Sequence, residues 1–91
     1  MAEDRARLQQ LLAELRTQLA ESTSVDAKTR SRLEATITDT ERALSGQPPR
    51  RGATEPLAER LGEAAGHFEA THPTLSGTLG SIIDALGRMG I

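Results

Sequence analysis

The chain has 91 residues, a net charge of −2, no cysteine and a single aromatic residue, Phe68. The absence of cysteine excludes disulfides, thiolate metal sites and cysteine nucleophiles, and the absence of Trp and Tyr argues against base stacking and interfacial membrane anchoring. Basic residues do not cluster beyond Arg50 and Arg51, so we expect no nucleic-acid partner. The N-terminal residues MAEDRARL include no apolar signal segment, and no apolar run is long enough to span a membrane, so we expect a cytoplasmic protein without a membrane partner.

The first half of the chain has the pattern of two helices. Residues 3–21 carry leucines at spacings of four and three, which places them on one face of a helix: Leu8, Leu12, Leu15 and Leu19. Small hydroxyl residues then interrupt the pattern, and residues 26–44 are predicted to form the second helix, with Asp26 or Ser24 as its N-cap and Gly46 just beyond its end. Its thinner apolar face has the same spacing: Leu33, Ile37, Thr40 and Leu44.

The segment SGQPPRRGA, residues 45–53, is the one clear linker, because two prolines and two glycines cannot continue a helix. We expect Thr54 to cap a third helix that has Glu55 and Pro56 in its first turn. One face of this helix is apolar: Leu57, Leu61, Ala64 and Phe68.

A fourth helix is predicted to begin at Pro73, because proline disfavours the helical conformation of the residue before it, His72. Its apolar stripe consists of Leu75, Leu79, Ile82, Ile83, Leu86 and Met89. Gly77, Gly80 and Gly87 also lie in this segment, and each mid-helix glycine costs about 1 kcal/mol relative to alanine. We therefore expect another helix to approach this segment closely.

Together these elements predict an all-α single domain over residues 1–91, with one helical hairpin at 3–44, the linker at 45–53 and a second hairpin at 54–91. The apolar spacing also stays in phase across both predicted breaks within the hairpins. Two kinked long helices, packed as a small bundle or coiled coil, are therefore the alternative. The local turn signals favour about four helices.

Glu59, Glu63 and His67 are spaced four residues apart on the third helix, and His72 follows nearby. Two carboxylates and an imidazole are suited to a divalent metal or to acid–base work. The di-iron signature, however, needs Glu and His three residues apart on two helices. We therefore expect a solvated acidic face on which His67 pairs with Glu63, with no metal site and no cofactor. At the junction that follows, we expect the side chain of Thr71 or His72 to cap the fourth helix, while a protonation switch at His72 stays possible.

No nucleophile elbow or phosphate-binding loop is present, so we expect no enzyme. The sequence predicts a non-enzymatic helical interaction module whose partner is a second copy of itself or another helical protein. Its expected surface is the stripe of the fourth helix with Phe68 as an aromatic anchor. The alternative is a small metal- or pH-responsive regulatory protein that uses Glu59, Glu63, His67 and His72.

The C-terminal half carries the most distinctive sequence of the chain. With the earlier segment LLAELRTQL and the junction HFEATHPTL, the tail HPTLSGTLGSIIDALGRMGI resembles a bacterial family of short helical proteins, domain of unknown function 4404. The resemblance covers nearly the whole chain and is strongest in residues 57–91. It implies a small helical protein and carries over neither an activity nor a catalytic residue.

Overall fold

Four α-helices make up the chain in a computed structural model that describes residues 2–48 and 55–90. They are α1 (Ala2–Glu21), α2 (Ala27–Leu44), α3 (Leu57–Phe68) and α4 (Pro73–Met89). The predicted all-α fold is confirmed. Both hairpin breaks are real, so the alternative of two kinked long helices is wrong.

The ends of α2 follow from local chemistry. The carboxylate of Asp26 accepts the backbone N–H of Thr29 at 2.7 Å, which confirms Asp26 as the N-cap. Just after the helix, Gly46 has a φ of +73°, a left-handed conformation that glycine adopts without the steric cost of a Cβ.

The start of α3 differs from the prediction. The helix begins at Leu57, so Glu55 and Pro56 precede it instead of forming its first turn. Pro56 has an extended ψ of 147°, and its carbonyl accepts the backbone N–H of Arg60 at 3.2 Å, which makes Pro56 the N-cap residue. The expected cap Thr54 and the linker arginines Arg50 and Arg51 lie outside the described residues.

The two hairpins share one core. α4 packs against both α1 and α3, and α2 completes the bundle by contacting the same two helices. The hydroxyl of Thr78 in α4 donates to the amide oxygen of Gln18 in α1 at 2.9 Å, so the end of α1 lies beside the beginning of α4. Among the described residues, no helix is both long and apolar enough to cross a membrane.

Candidate interaction surface

Most of the apolar stripe expected to bind a partner lies in the core of the single chain. Its members in the core are at most 2% exposed: Phe68, Leu75, Leu79, Ile82 and Leu86. α1 and α3 of the same chain cover them, because α4 packs between these two helices. The predicted burial is confirmed, but these five side chains are not open to a second molecule in this fold. Ile83 and Met89 are only partly buried.

No other described part of the chain packs closely against the glycines of α3 and α4. A Cβ built on Gly77, Gly80 or Gly87 meets no described atom within 4 Å outside the adjoining residues and the backbone of its own helix, and the same holds for Gly62 and Gly66 in α3. The close approach that these glycines predict therefore does not come from the described helices of this chain. None of the five has a positive φ. Each of these glycines costs about 1 kcal/mol of helix stability relative to alanine, and no close contact with another described helix offsets this cost.

Helix geometry shows where these glycines point. Ser76 donates its hydroxyl to the carbonyl of Ala65 at 2.9 Å, which marks the side on which α3 and α4 meet. At 100° per residue, Gly80, Ile83 and Gly87 follow Ser76 around the outer surface of α4. Ala58, Gly62 and Gly66, spaced four residues apart, follow Ala65 around α3. The outer surface of the hairpin therefore consists of small residues around one isoleucine, and we call it the hairpin face: Ala58, Gly62, Gly66, Gly80, Ile83 and Gly87.

Two charged side chains lie beside the hairpin face on α4. Asp84 and Arg88 are both exposed and are the helix's only charged residues. Within residues 2–48 and 55–90, neither makes an ion pair or a side-chain hydrogen bond. Both charges are therefore available to a molecule that covers this side of α4.

The other candidate residues do not form a metal site in the described chain. Glu59, Glu63 and His67 are exposed on α3, away from α4. In residues 2–48 and 55–90, no group of three or more His, Asp or Glu side chains converges as metal ligands would. No side-chain hydrogen bond or ion pair joins His67 to Glu63 there, so their expected pairing is wrong.

His72 is the N-cap residue of α4 through its carbonyl, which accepts the backbone N–H of Ser76 at 3.0 Å, while its side chain links the two hairpin loops. Its Nε2 lies 2.7 Å from the hydroxyl of Ser24 in the α1–α2 loop, and its Nδ1 lies 2.9 Å from the hydroxyl of Thr71. Its ring also packs edge-on against Phe68, with centroids 5.3 Å apart. The expected side-chain cap by Thr71 or His72 is wrong, since no such bond to a backbone N–H is present at the start of α4. No local sequence pattern predicts the contact between His72 and Ser24, because 48 residues separate them.

A polar contact holds α2 against α3, and the sequence patterns did not reveal it. The guanidinium of Arg60 donates to the carboxylate of Asp39 at 2.7 Å and to the hydroxyl of Thr36 at 3.1 Å. The side chain of Asp39 is 5% exposed and that of Arg60 17%. The only hint lay in the narrow apolar face of α2, which leaves room for polar residues beside it.

Comparison with known proteins places the chain in a family. The family model described as "Domain of unknown function (DUF4404)" matches residues 8–91, so the chain belongs to this family. No curated protein matches the chain, and neither does any solved structure.

Proposed function

We propose that this member of the family is a non-enzymatic helical interaction module that binds a polypeptide through the hairpin face. The observation that carries the proposal is the set of helical glycines that the fold itself does not use. Glycine lets the backbone of another helix approach closely, and the roughly 1 kcal/mol that each one costs is offset if such contacts form with another molecule.

The composition of the face supports a polypeptide partner. α1 and α2 present densely charged outer surfaces, whereas the hairpin face offers backbone, small side chains and the half-buried Ile83. An apolar surface rimmed by a few charges is typical of protein interfaces. We further propose a cytoplasmic location in bacteria, in keeping with the resemblance to a bacterial family.

Photo-crosslinking in the cells that produce the protein tests this function. A photoreactive amino acid replaces Ala58, an exposed residue of the hairpin face, and in a matched control it replaces Glu34, an exposed residue of α2. We expect a discrete protein adduct from position 58 and none from position 34. No adduct at position 58, or equal adducts at both positions, would overturn the proposal, and the mass of a specific adduct identifies the partner.

The second candidate is a pH-responsive regulator, favoured by the contact of His72 with Ser24 across the two loops. Histidine changes its charge near neutral pH, and protonation makes both ring nitrogens donors. In that case the oligomeric mass changes with pH, and His72→Gln removes the change. An oligomeric mass that is the same in acidic and in neutral buffer contradicts the second candidate.

A further inference from the structure

The exposed side of α4 has a charge pattern that is complementary to itself. Asp84 and Arg88 lie four residues apart on one side of the helix, with no partner among the described residues. When a second copy of the same helix runs antiparallel, Asp84 of each copy comes within one helical turn of Arg88 of the other. A twofold axis creates this contact twice.

Building on the proposed function, we propose that the partner is a second copy of this chain, and that the two copies pack α4 against α4 in antiparallel orientation. The same alignment brings Ile83 of each copy over Gly87 of the other. Ile83 is the half-buried apolar side chain of the hairpin face, and nothing lies within 4 Å of a Cβ at Gly87. The side chain of Ile83 from each copy therefore fits the space at Gly87 of the other copy, and the interface contains this contact twice.

A parallel arrangement does not satisfy the same residues. It sets Asp84 beside Asp84 and Arg88 beside Arg88, and like charges in contact disfavour association. It also sets Ile83 against Ile83 and Gly87 against Gly87, which leaves the space at the glycines unfilled. The charges and the apolar contacts thus independently select the antiparallel pair.

The size of the face suits a weak, reversible dimer. The 17 residues of α4 extend roughly 25 Å, and two packed helices are roughly 20 Å wide, so the hairpin covers roughly 500 Å². Two copies then bury roughly 1,000 Å², which is the lower limit for specific protein interfaces. We expect dissociation in the micromolar range.

Sedimentation velocity and light scattering of the full chain over a broad concentration range test the pair. We expect a monomer–dimer equilibrium that Asp84→Arg or Arg88→Asp weakens about tenfold, because either reversal replaces attraction by repulsion at two places. The double variant D84R/R88D restores dimerisation, since its pattern is again self-complementary in the antiparallel orientation. Glu14→Arg, a reversal of an exposed charge on α1, serves as the control and leaves the equilibrium unchanged.

The variant Gly87→Leu distinguishes an effect on dimerisation from an effect on folding. A Cβ at Gly87 meets no described atom within 4 Å outside the adjoining residues and the backbone of α4, and leucine favours helix, so the dilute monomer should melt at a higher temperature while dimerisation weakens at least tenfold. Ala13→Leu, at an exposed position of α1, adds the same side chain outside the hairpin face and leaves dimerisation unchanged.

The outcomes distinguish this inference from the proposed function. A chain that stays monomeric at every concentration, or a double variant that stays as weak as the single ones, overturns the antiparallel pair. An adduct of another mass at position 58 in cells leaves the interaction module standing in that case. Loss of both the dimer and the adduct removes both proposals.

Discussion

Individual residues explain features of this fold that its helical patterns do not. Gly46 and Gly66 show the two roles that glycine takes here. Gly46, at a φ of +73°, ends α2 in a conformation that other residues adopt only with strain. Gly66 lies inside α3 with ordinary helical geometry and empty space where its side chain would be. The same residue type is therefore required at one position and costly at the other.

Alanine should have opposite effects at these two glycines. Gly66→Ala is expected to raise the free energy of unfolding by about 0.5–1 kcal/mol, because alanine restricts the unfolded chain and meets no obstruction in the helix. Gly46→Ala is expected to lower it by about 1–2 kcal/mol through strain at positive φ. Urea denaturation of both variants measures the difference. A higher free energy of unfolding for Gly46→Ala, or a lower one for Gly66→Ala, would contradict these roles of the two glycines.

Asp26 couples the start of α2 to pH. The backbone N–H of Thr29, and next its hydroxyl, bind the carboxylate and hold the pKa of Asp26 below its ordinary value of 3.8. Because the pKa is lower in the folded state, the unfolded state binds more protons in this range, and stability falls as the pH drops. The contribution of Asp26 is thus complete above pH 3.8 and disappears as the pH falls through the lowered pKa.

Thermal melts of the wild type and of Asp26→Ala from about pH 7 to about pH 2 measure this contribution. We expect the variant to melt at a lower temperature near neutral pH and the gap to close at the acidic end. Asp26→Asn is the matched control, because its amide oxygen keeps the cap without a charge. If the melting temperatures of wild type and Asp26→Ala differ by the same amount at neutral and at acidic pH, the carboxylate of Asp26 does not make this pH-dependent contribution.

At the scale of the elements, α2 is joined to α3 by the ion pair between Asp39 and Arg60, whereas α4 is joined to its neighbours by apolar packing. Burying a charge is costly unless a partner compensates it, so such a pair stabilises the fold less than it restricts how the two helices align. The position of α2 therefore depends on this polar contact as well as on its narrow apolar face, which reaches the core through Leu33, Ile37 and Leu44.

The contact between Arg60 and Asp39 is expected to couple α2 to α3 energetically. Arg60→Met should lower the free energy of unfolding by about 1.5–3 kcal/mol, because the carboxylate of Asp39, 5% exposed, loses the charge-assisted hydrogen bond from this guanidinium. The double variant D39L/R60M should cost less than the sum of its two single substitutions, because each single substitution already removes this contact. A double-mutant cycle from urea denaturation gives the coupling energy, and purely additive effects would contradict it.

The sequence predicts where the helices begin and end better than it predicts which residues of other helices they contact. The bounds of α1, α2 and α4 follow from apolar spacing, from the Asp26 cap and from Pro73, all of which act within a few residues. Whether a glycine faces another helix of the same chain depends instead on packing between distant segments, and a Cβ at Gly80 meets no described atom of another helix within 4 Å. The stripe of α4 was correctly predicted to be buried, but its spacing does not encode whether its own chain or another one covers it.

For the whole molecule, that cover comes from both hairpins. α4 packs against α1 as well as against its own partner α3, and Thr78 reaches Gln18 across the boundary between the hairpins. The contact of Ser24 with His72 joins the two loops at one end of the bundle. Neither hairpin therefore completes a core by itself, and the linker that joins them raises their effective concentration.

Separated hairpins should reveal this dependence. Peptides of residues 1–48 and 55–91 are expected to be largely unfolded alone, because the stripe of α4 and the leucines of α1 then lose their common core. Mixing them at about 100 µM should restore most of the helical circular dichroism. Leu79→Ala in the second peptide removes a fully buried side chain, at a cost of about 3–5 kcal/mol, and should weaken the complex at least about a hundredfold. Ser81→Ala, on the outer side of α4, is the control, and a hairpin that melts cooperatively without its partner would show that the core is not shared.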